Sequence, residues 1–278
     1  MLTEVKNTLK YIFASLKCNI KAALEYKKSF IIQTVFMIVN NLFFLIYWIV
    51  VFSINDGDLN GLVMKDILLL WTLPNGAWGI ANFFFGGLRD IDKLIITGGL
   101  DSYLLQPKNL IVSIATSRCN FGSFGDLLYG LVLGIIVSES IIEYLMIMFF
   151  MIIGAIIFMS CFIIVRSLAV WLGDMENIAR VYEQSLLITL STYPYNIFGN
   201  VMKVLMFTIV PTAYISHLPI KIITQFDIKL VVLVISFAMI IAIIPTPPRM
   251  RPILCAIYPS ASQMKRSSFI KVLPQISL

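Results

Sequence analysis

The side chains able to carry chemistry are few. His217 is the single histidine; with no neighbouring Cys or carboxylate ligands and no H-E-x-x-H, it cannot build a zinc site. A structural role near an outer membrane boundary fits it better. Cys18, Cys119, Cys161 and Cys255 show no C-x-x-C spacing, which argues against metal binding. Gly125-Asp126 puts a carboxylate into an apolar stretch, and in a membrane helix such a residue marks function by default. An aspartyl intramembrane protease needs a second carboxylate to share the proton, and Ser123 stands where the G-x-G-D pattern has its first Gly. A serine mechanism has only His217 as a base. No G-x-x-x-x-G-K-[ST] occurs, so the chain carries no nucleotide-binding P-loop of its own. The sequence therefore reads as no enzyme, with no metal and no cofactor in this chain; an intramembrane hydrolase stays only as an alternative.

The elements that position these residues are hydrophobic. The 278 residues are 59% hydrophobic and 13% charged, with a mean hydropathy of +0.91, against about 45–50% and about 25% in a typical soluble chain. That excludes a soluble domain, a disordered chain and a disulfide scaffold. A soluble nucleic-acid binder could share the net charge of +6 but not this apolar content, so no nucleic-acid partner is expected. What remains is an all-α membrane protein. A bilayer core about 30 Å thick takes roughly 20 apolar helical residues to cross. Six spans are expected, at about 30–52, 67–85, 111–137, 144–172, 201–216 and 228–244, the second kinked at Pro74-Asn75-Gly76. A cytoplasmic arm, 1–29, precedes them, and a Pro-rich basic tail, 245–278, follows them.

Orientation follows from Lys and Arg, which stay cytoplasmic. With both termini inside, sixteen of the 21 lie on inner segments: six in the arm, three in the first inner loop, two in the second and five in the tail. Lys65, Lys221 and Lys229 lie outside, and Arg118 and Lys203 at span edges. In the arm, Leu9, Ile12, Phe13, Leu16 and Ile20 recur at helical spacing, with Lys10, Lys17 and Lys21 elsewhere on the wheel. This suits an amphipathic helix lying on the lipid surface. The inner loop at 86–109 is longer than a usual connector. Its Ile91, Leu94 and Ile95 share one helical face ended by Gly98-Gly99, which predicts a short cytoplasmic helix that binds a partner. Asn40, Asn41 and Asp126 serve either a pathway or helix–helix hydrogen bonding, and Gly130 and Gly134 form a G-x-x-x-G packing face, within the chain or between subunits.

The stretch Ile96-Thr97-Gly98-Gly99-Leu100-Asp101-Ser102-Tyr103-Leu104-Leu105-Gln106-Pro107 resembles the I-x-x-G-x-L-D-x-x-L-L-x-P signature of permease subunits of type-2 ABC transporters, the exporter-type branch. A second stretch agrees with it: Tyr193-Pro194, Phe198-Gly199, Pro211 and Pro219 are similar to that family's motif around its fifth span, with Val210 and Ile220-Lys221 departing slightly. Tyr258-Pro259-Ser260-Ala261-Ser262 resembles the family's ending, although Pro245, Pro247, Pro248 and Pro252 intervene. The resemblance covers about residues 5–244.

This resemblance implies an elbow helix in the arm and a coupling helix in the loop, docked on a separate ATPase subunit that holds ATP and Mg. Gly98, Leu100, Asp101, Leu104 and Pro107 match the loop signature and would shape the ATPase-facing turn. It also implies a second permease subunit, identical or related, contact with membrane lipid, and residence in a bacterial plasma membrane. The expected function is transport, with export as the direction. A non-transporting membrane scaffold or assembly subunit is the alternative.

Overall fold

The computed structural model describes residues 2–54, 63–106 and 109–243, with the side chains of 2–5 and 23 left out. Pro107 and the tail at 245–278 lie outside the described residues, as does Ile244, the expected end of the last span. Among the described residues every regular element is helical. The chain opens with α1 (Leu2–Glu25), α2 (Lys27–Ile54) and α3 (Met64–Phe85). The loop after α3 holds a 3-10 turn at Gly86–Asp90, then α4 (Ile91–Ile96), α5 (Leu100–Leu104) and α6 (Leu110–Ala115). Next come α7 (Ser123–Val137), α8 (Ile141–Ser167), α9 (Ala169–Leu172) and α10 (Glu176–Arg180), which runs through a π-helical stretch, Val181–Ile188, into α11 (Thr189–Thr192). Helices α12 (Asn200–Phe207), α13 (His217–Thr224) and α14 (Ile228–Ile243) complete the set.

Helix α3 is the centre of the bundle, buried almost continuously from Ile67 to Phe83. It runs as one element through Pro74. Small residues let its neighbours approach backbone to backbone, as membrane helices do where no hydrophobic drive separates helix from lipid. A Cβ on Gly130 of α7 would lie 2.6 Å from Gly76 Cα, and one on Gly125 of α7 would lie 2.8 Å from the Thr34 carbonyl of α2. On the other side of α3, Trp78 sets its ring edge against Phe158 and Phe162 of α8, at 5.5 and 5.4 Å. Helix α14 and α13 cover α8 further along.

Two expected spans are cut differently. The third, 111–137, is not one helix: α6 stops at Ala115 and α7 starts at Ser123. The polar stretch between them bonds to backbone groups that a helix would otherwise use. Thr116 Oγ1 donates to the Val112 carbonyl at 2.9 Å and Ser117 Oγ to the Ile114 carbonyl at 2.7 Å, while Asn120 Oδ1 accepts from the Gly122 amide at 3.2 Å. The fifth, 201–216, is a bent pair, Asn200–Phe207 and Thr212–Thr224, meeting at 71°. Pro211, without an amide hydrogen, sits in the bend.

Among the described residues, two helical stretches are long and apolar enough to cross a membrane, Lys27–Ile54 and Ile141–Leu172, or three if the bent pair is one span. Helices α7 and α14 are shorter apolar helices. At 1.5 Å per residue the 15 residues of α7 cover about 22 Å, less than the bilayer core of about 30 Å. Helix α1 meets the bundle through polar groups: Ser15 Oγ and Asn19 Nδ2 both donate to the Thr116 carbonyl, at 2.6 and 2.9 Å. Its Leu9 and Phe13 stay exposed, at 50% and 71%.

Candidate functional site

The structured part of the loop begins where α3 ends. Gly98, at φ +71°, adopts the left-handed conformation that closes a helix, and so ends α4 and turns the chain toward α5. The expected short helix is therefore present at Ile91–Ile96, but its apolar side faces inward. Ile91 and Ile95 are buried in the core with Leu100, and Leu94, Tyr103 and Leu104 pack against that core. The residues expected to meet a partner thus pack the loop against its own bundle. Asp101 is half-buried, and its Oδ1 has no hydrogen-bond partner among the described residues. The exposed edge is a different set: Lys93, Ile96, Thr97, Ser102 and Leu105, with Ile96 52% and Leu105 55% exposed.

Beneath this loop lies a buried ion cluster. Arg166, near the end of α8, is 4% exposed, and both Asp92 of α4 and Glu183 of the π-helical stretch are fully buried. The Arg166 guanidinium donates through Nε to Glu183 Oε1 at 2.7 Å and through Nη2 to Glu183 Oε2 at 3.1 Å. Its Nη1 donates to Asp92 Oδ1 at 2.8 Å. Arg89 of the 3-10 turn donates through Nε to Glu183 Oε2 at 2.9 Å and through Nη1 to Asn82 Oδ1 at 3.4 Å. Its guanidinium also lies 5.4 Å above the Trp78 ring. Two guanidinium groups balance two carboxylates, and the planar fork of Arg166 matches both oxygens of Glu183, which lets charge persist away from water. The wide π turn aims Glu183 inward; such turns are frequent at functional positions.

The cluster joins four elements: the 3-10 turn through Arg89, α4 through Asp92, α8 through Arg166, and the stretch at 181–188 through Glu183. Helix α4 is thus joined to α8 by a charge-assisted hydrogen bond, Asp92 to Arg166, as well as by the apolar packing of Ile91 and Ile95. The sequence alone places Arg166 among the charges of the second inner loop and does not single out Glu183. The signal available was a lone Arg closing the apolar run of α8 and a lone Glu in an apolar stretch beyond it.

The other expected positions fall elsewhere. Asn41 is buried and donates to Asp126 Oδ1 at 2.9 Å, tying α2 to α7, whereas Asn40 is exposed. Asp126 Oδ2 has no partner among the described residues. Gly130 packs on Gly76 inside the chain, and a Cβ on Gly134 would make ordinary contact with Ile147 and Tyr144. Tyr193 sets its ring against Phe44 and Trp48 of α2, at 5.9 and 6.2 Å, and Pro194 beside it is buried. Phe198 is half-buried and Gly199 exposed, while Pro211 and Pro219 are buried on either side of the bend region. His217 Nε2 lies 3.2 Å from the Leu190 carbonyl, tying α13 to α11. The loop and the second motif are thus on separate parts of the bundle. Among the described residues no group of three or more His, Cys, Asp or Glu is arranged to hold a metal.

A family model described as ABC-2 family transporter protein matches residues 29–246. No curated protein and no solved structure matches the chain.

Proposed function

Because the chain belongs to the ABC-2 family of transporter proteins, we propose that it is the permease subunit of an ATP-binding cassette exporter, driven by a separate ATPase chain that carries ATP and Mg. In this reading six spans cross the cell membrane with both termini in the cytoplasm, α3, α7 and α14 included. Helix α1 is the elbow on the inner leaflet, and α4–α5 form the coupling segment. A second permease subunit, identical or related, completes the pathway.

The observation that carries this reading is the ion cluster. A coupling segment has to pass force from a soluble motor into the bundle, and Asp92 and Arg89 bind the loop to Arg166 and Glu183 by bonds of 2.8 and 2.9 Å. ATPase closure would push on the exposed edge at Ile96 and Leu105, and the cluster would tilt α8 with it, the kind of bistable shift that links two sites. The test is co-expression of the chain with the ATPase encoded beside it, followed by purification and reconstitution. The ATPase should co-purify, and the I96E/L105E variant should lose it while still inserting normally. An ATPase that never associates, or that associates equally with I96E/L105E, overturns the coupling assignment. Association without any ATP-driven substrate movement points instead to a membrane scaffold.

A further inference from the structure

Beside the ion cluster, the loop after α3, the break between α6 and α7, and α10 line a half-open cavity of about 150 Å³. A single water needs only about 10–15 Å³ by this measure, so the space admits a polyatomic group. Arg89 and the buried Arg166 line its base, and the more exposed Lys93, Arg118 and Arg180 line its mouth. Two carboxylates share the lining, Asp90 and Glu176.

These carboxylates do not saturate the donors. A single oxygen, Glu176 Oε1, accepts from Arg180 at 2.8 Å and faces Lys93 Nζ at 3.3 Å. Asp90 meets Arg118 through one nitrogen, Nη1, at 3.2 Å. Arg89 commits Nε and Nη1 to Glu183 and Asn82, and its Nη2 has no acceptor among the described residues. With Asp92 and Glu183 included behind the base, the five cations still outnumber the four carboxylates. The cavity thus offers positive charge and a surplus of N–H donors in planar forks, the complement of a tetrahedral oxyanion.

We propose that this cavity binds a phosphate group, supplied by the headgroup of an anionic phospholipid. The lipid source is argued from α1. Its Ser15 and Asn19 are bonded to the Thr116 carbonyl, two residues before Arg118, and its Leu9 and Phe13 are exposed. Helix α1, whose exposed apolar side chains are open to acyl chains, is therefore anchored to the segment that carries Arg118 at the mouth. The inference rests on the chain being a membrane protein and not on its ATPase partner.

The test uses the full-length chain in neutral detergent, titrated with phosphatidylglycerol or phosphatidylcholine and read by native mass spectrometry. The unsubstituted chain should retain phosphatidylglycerol selectively. R118Q/R180Q, changed at two exposed positions, should weaken that retention by about thirtyfold, or about 2 kcal/mol at 1.4 kcal/mol per tenfold, while R118K/R180K keeps most of it. Millimolar inorganic phosphate separates the sources. Retention that survives it supports the lipid; displacement by it, with bound phosphate detected, overturns the lipid source and leaves a soluble phosphate as occupant. Equal retention of the two lipids, or unchanged phosphatidylglycerol retention in R118Q/R180Q, overturns the site.

Discussion

Arg166→Met is the most informative single change, because it removes the hub of the buried cluster while nearly keeping side-chain volume. Asp92 then loses its one partner, since its Oδ2 already has none among the described residues. Glu183 keeps only Arg89. Removing one member of a buried ion pair costs about 3–5 kcal/mol, because the other charge stays desolvated without compensation. That is about two to three and a half decades in the folding equilibrium. The assay is unfolding of the purified chain in mixed micelles with a denaturing detergent, followed by tryptophan emission; Trp78 lies directly under Arg89. Arg166→Lys should fall between wild type and Arg166→Met, as an ammonium keeps the charge but cannot fork onto both oxygens of Glu183. The triple variant D92N/R166M/E183Q should recover at least half of the loss, because it leaves no stranded carboxylate. If the cluster is also the mechanical link, the triple variant folds and still fails in ATP-driven transport. A stability for Arg166→Met within about 1 kcal/mol of wild type, the value of an exposed ion pair, refutes the reasoning.

Gly98→Ala should destabilise the α4–α5 turn by about 1–2 kcal/mol, since a Cβ is disfavoured in the left-handed region, and hydrogen exchange of residues 91–104 should quicken without global unfolding. Gly130→Ala should cost about 1–3 kcal/mol in the mixed-micelle assay, as its Cβ meets the Gly76 backbone at 2.6 Å, whereas Gly199→Ala, with open space around it, should be silent by that measure. Asn41→Ala strands Asp126 and should cost about 1–3 kcal/mol; Asn41→Ala combined with Asp126→Leu should regain most of it. The hydrogen bond and charge of Lys93, with Arg180 adding to them, hold Glu176 below its ordinary carboxylate value of 4.5. A depressed group contributes above its unfolded value and loses that contribution as pH falls through the folded one. The Lys93–Glu176–Arg180 tie should therefore be intact at neutral pH and released only below pH 4.5, which exchange rates at residues 91–96 across a pH series would register.

Membership of a helical membrane class was legible in composition, and the loop helix with its glycine stop was legible in spacing. Both are local properties: apolarity sums along the chain, helical periodicity repeats within a few residues, and a left-handed stop needs only Gly98. Legibility failed where polar side chains compete with the backbone, as at Thr116–Gly122, where the expected third span is interrupted. It failed again at Pro211, where the length of each arm depends on what packs around the bend.

The candidate site divides along the same line. The family motifs and the Asp101 and Leu104 positions could be read in order along the chain, since a motif is a matter of spacing. Which face of α4 is buried could not, because an amphipathic helix has the same pattern whether its apolar side meets a partner or its own bundle. The ion cluster is further still from local reading: Asp92 meets Arg166 across 74 positions, and Arg89 meets Glu183 across 94. Sequence can say that such charges are scarce in so apolar a chain. Only packing brings them within hydrogen-bond distance, because desolvating a charge is tolerable where the fold supplies the opposite one.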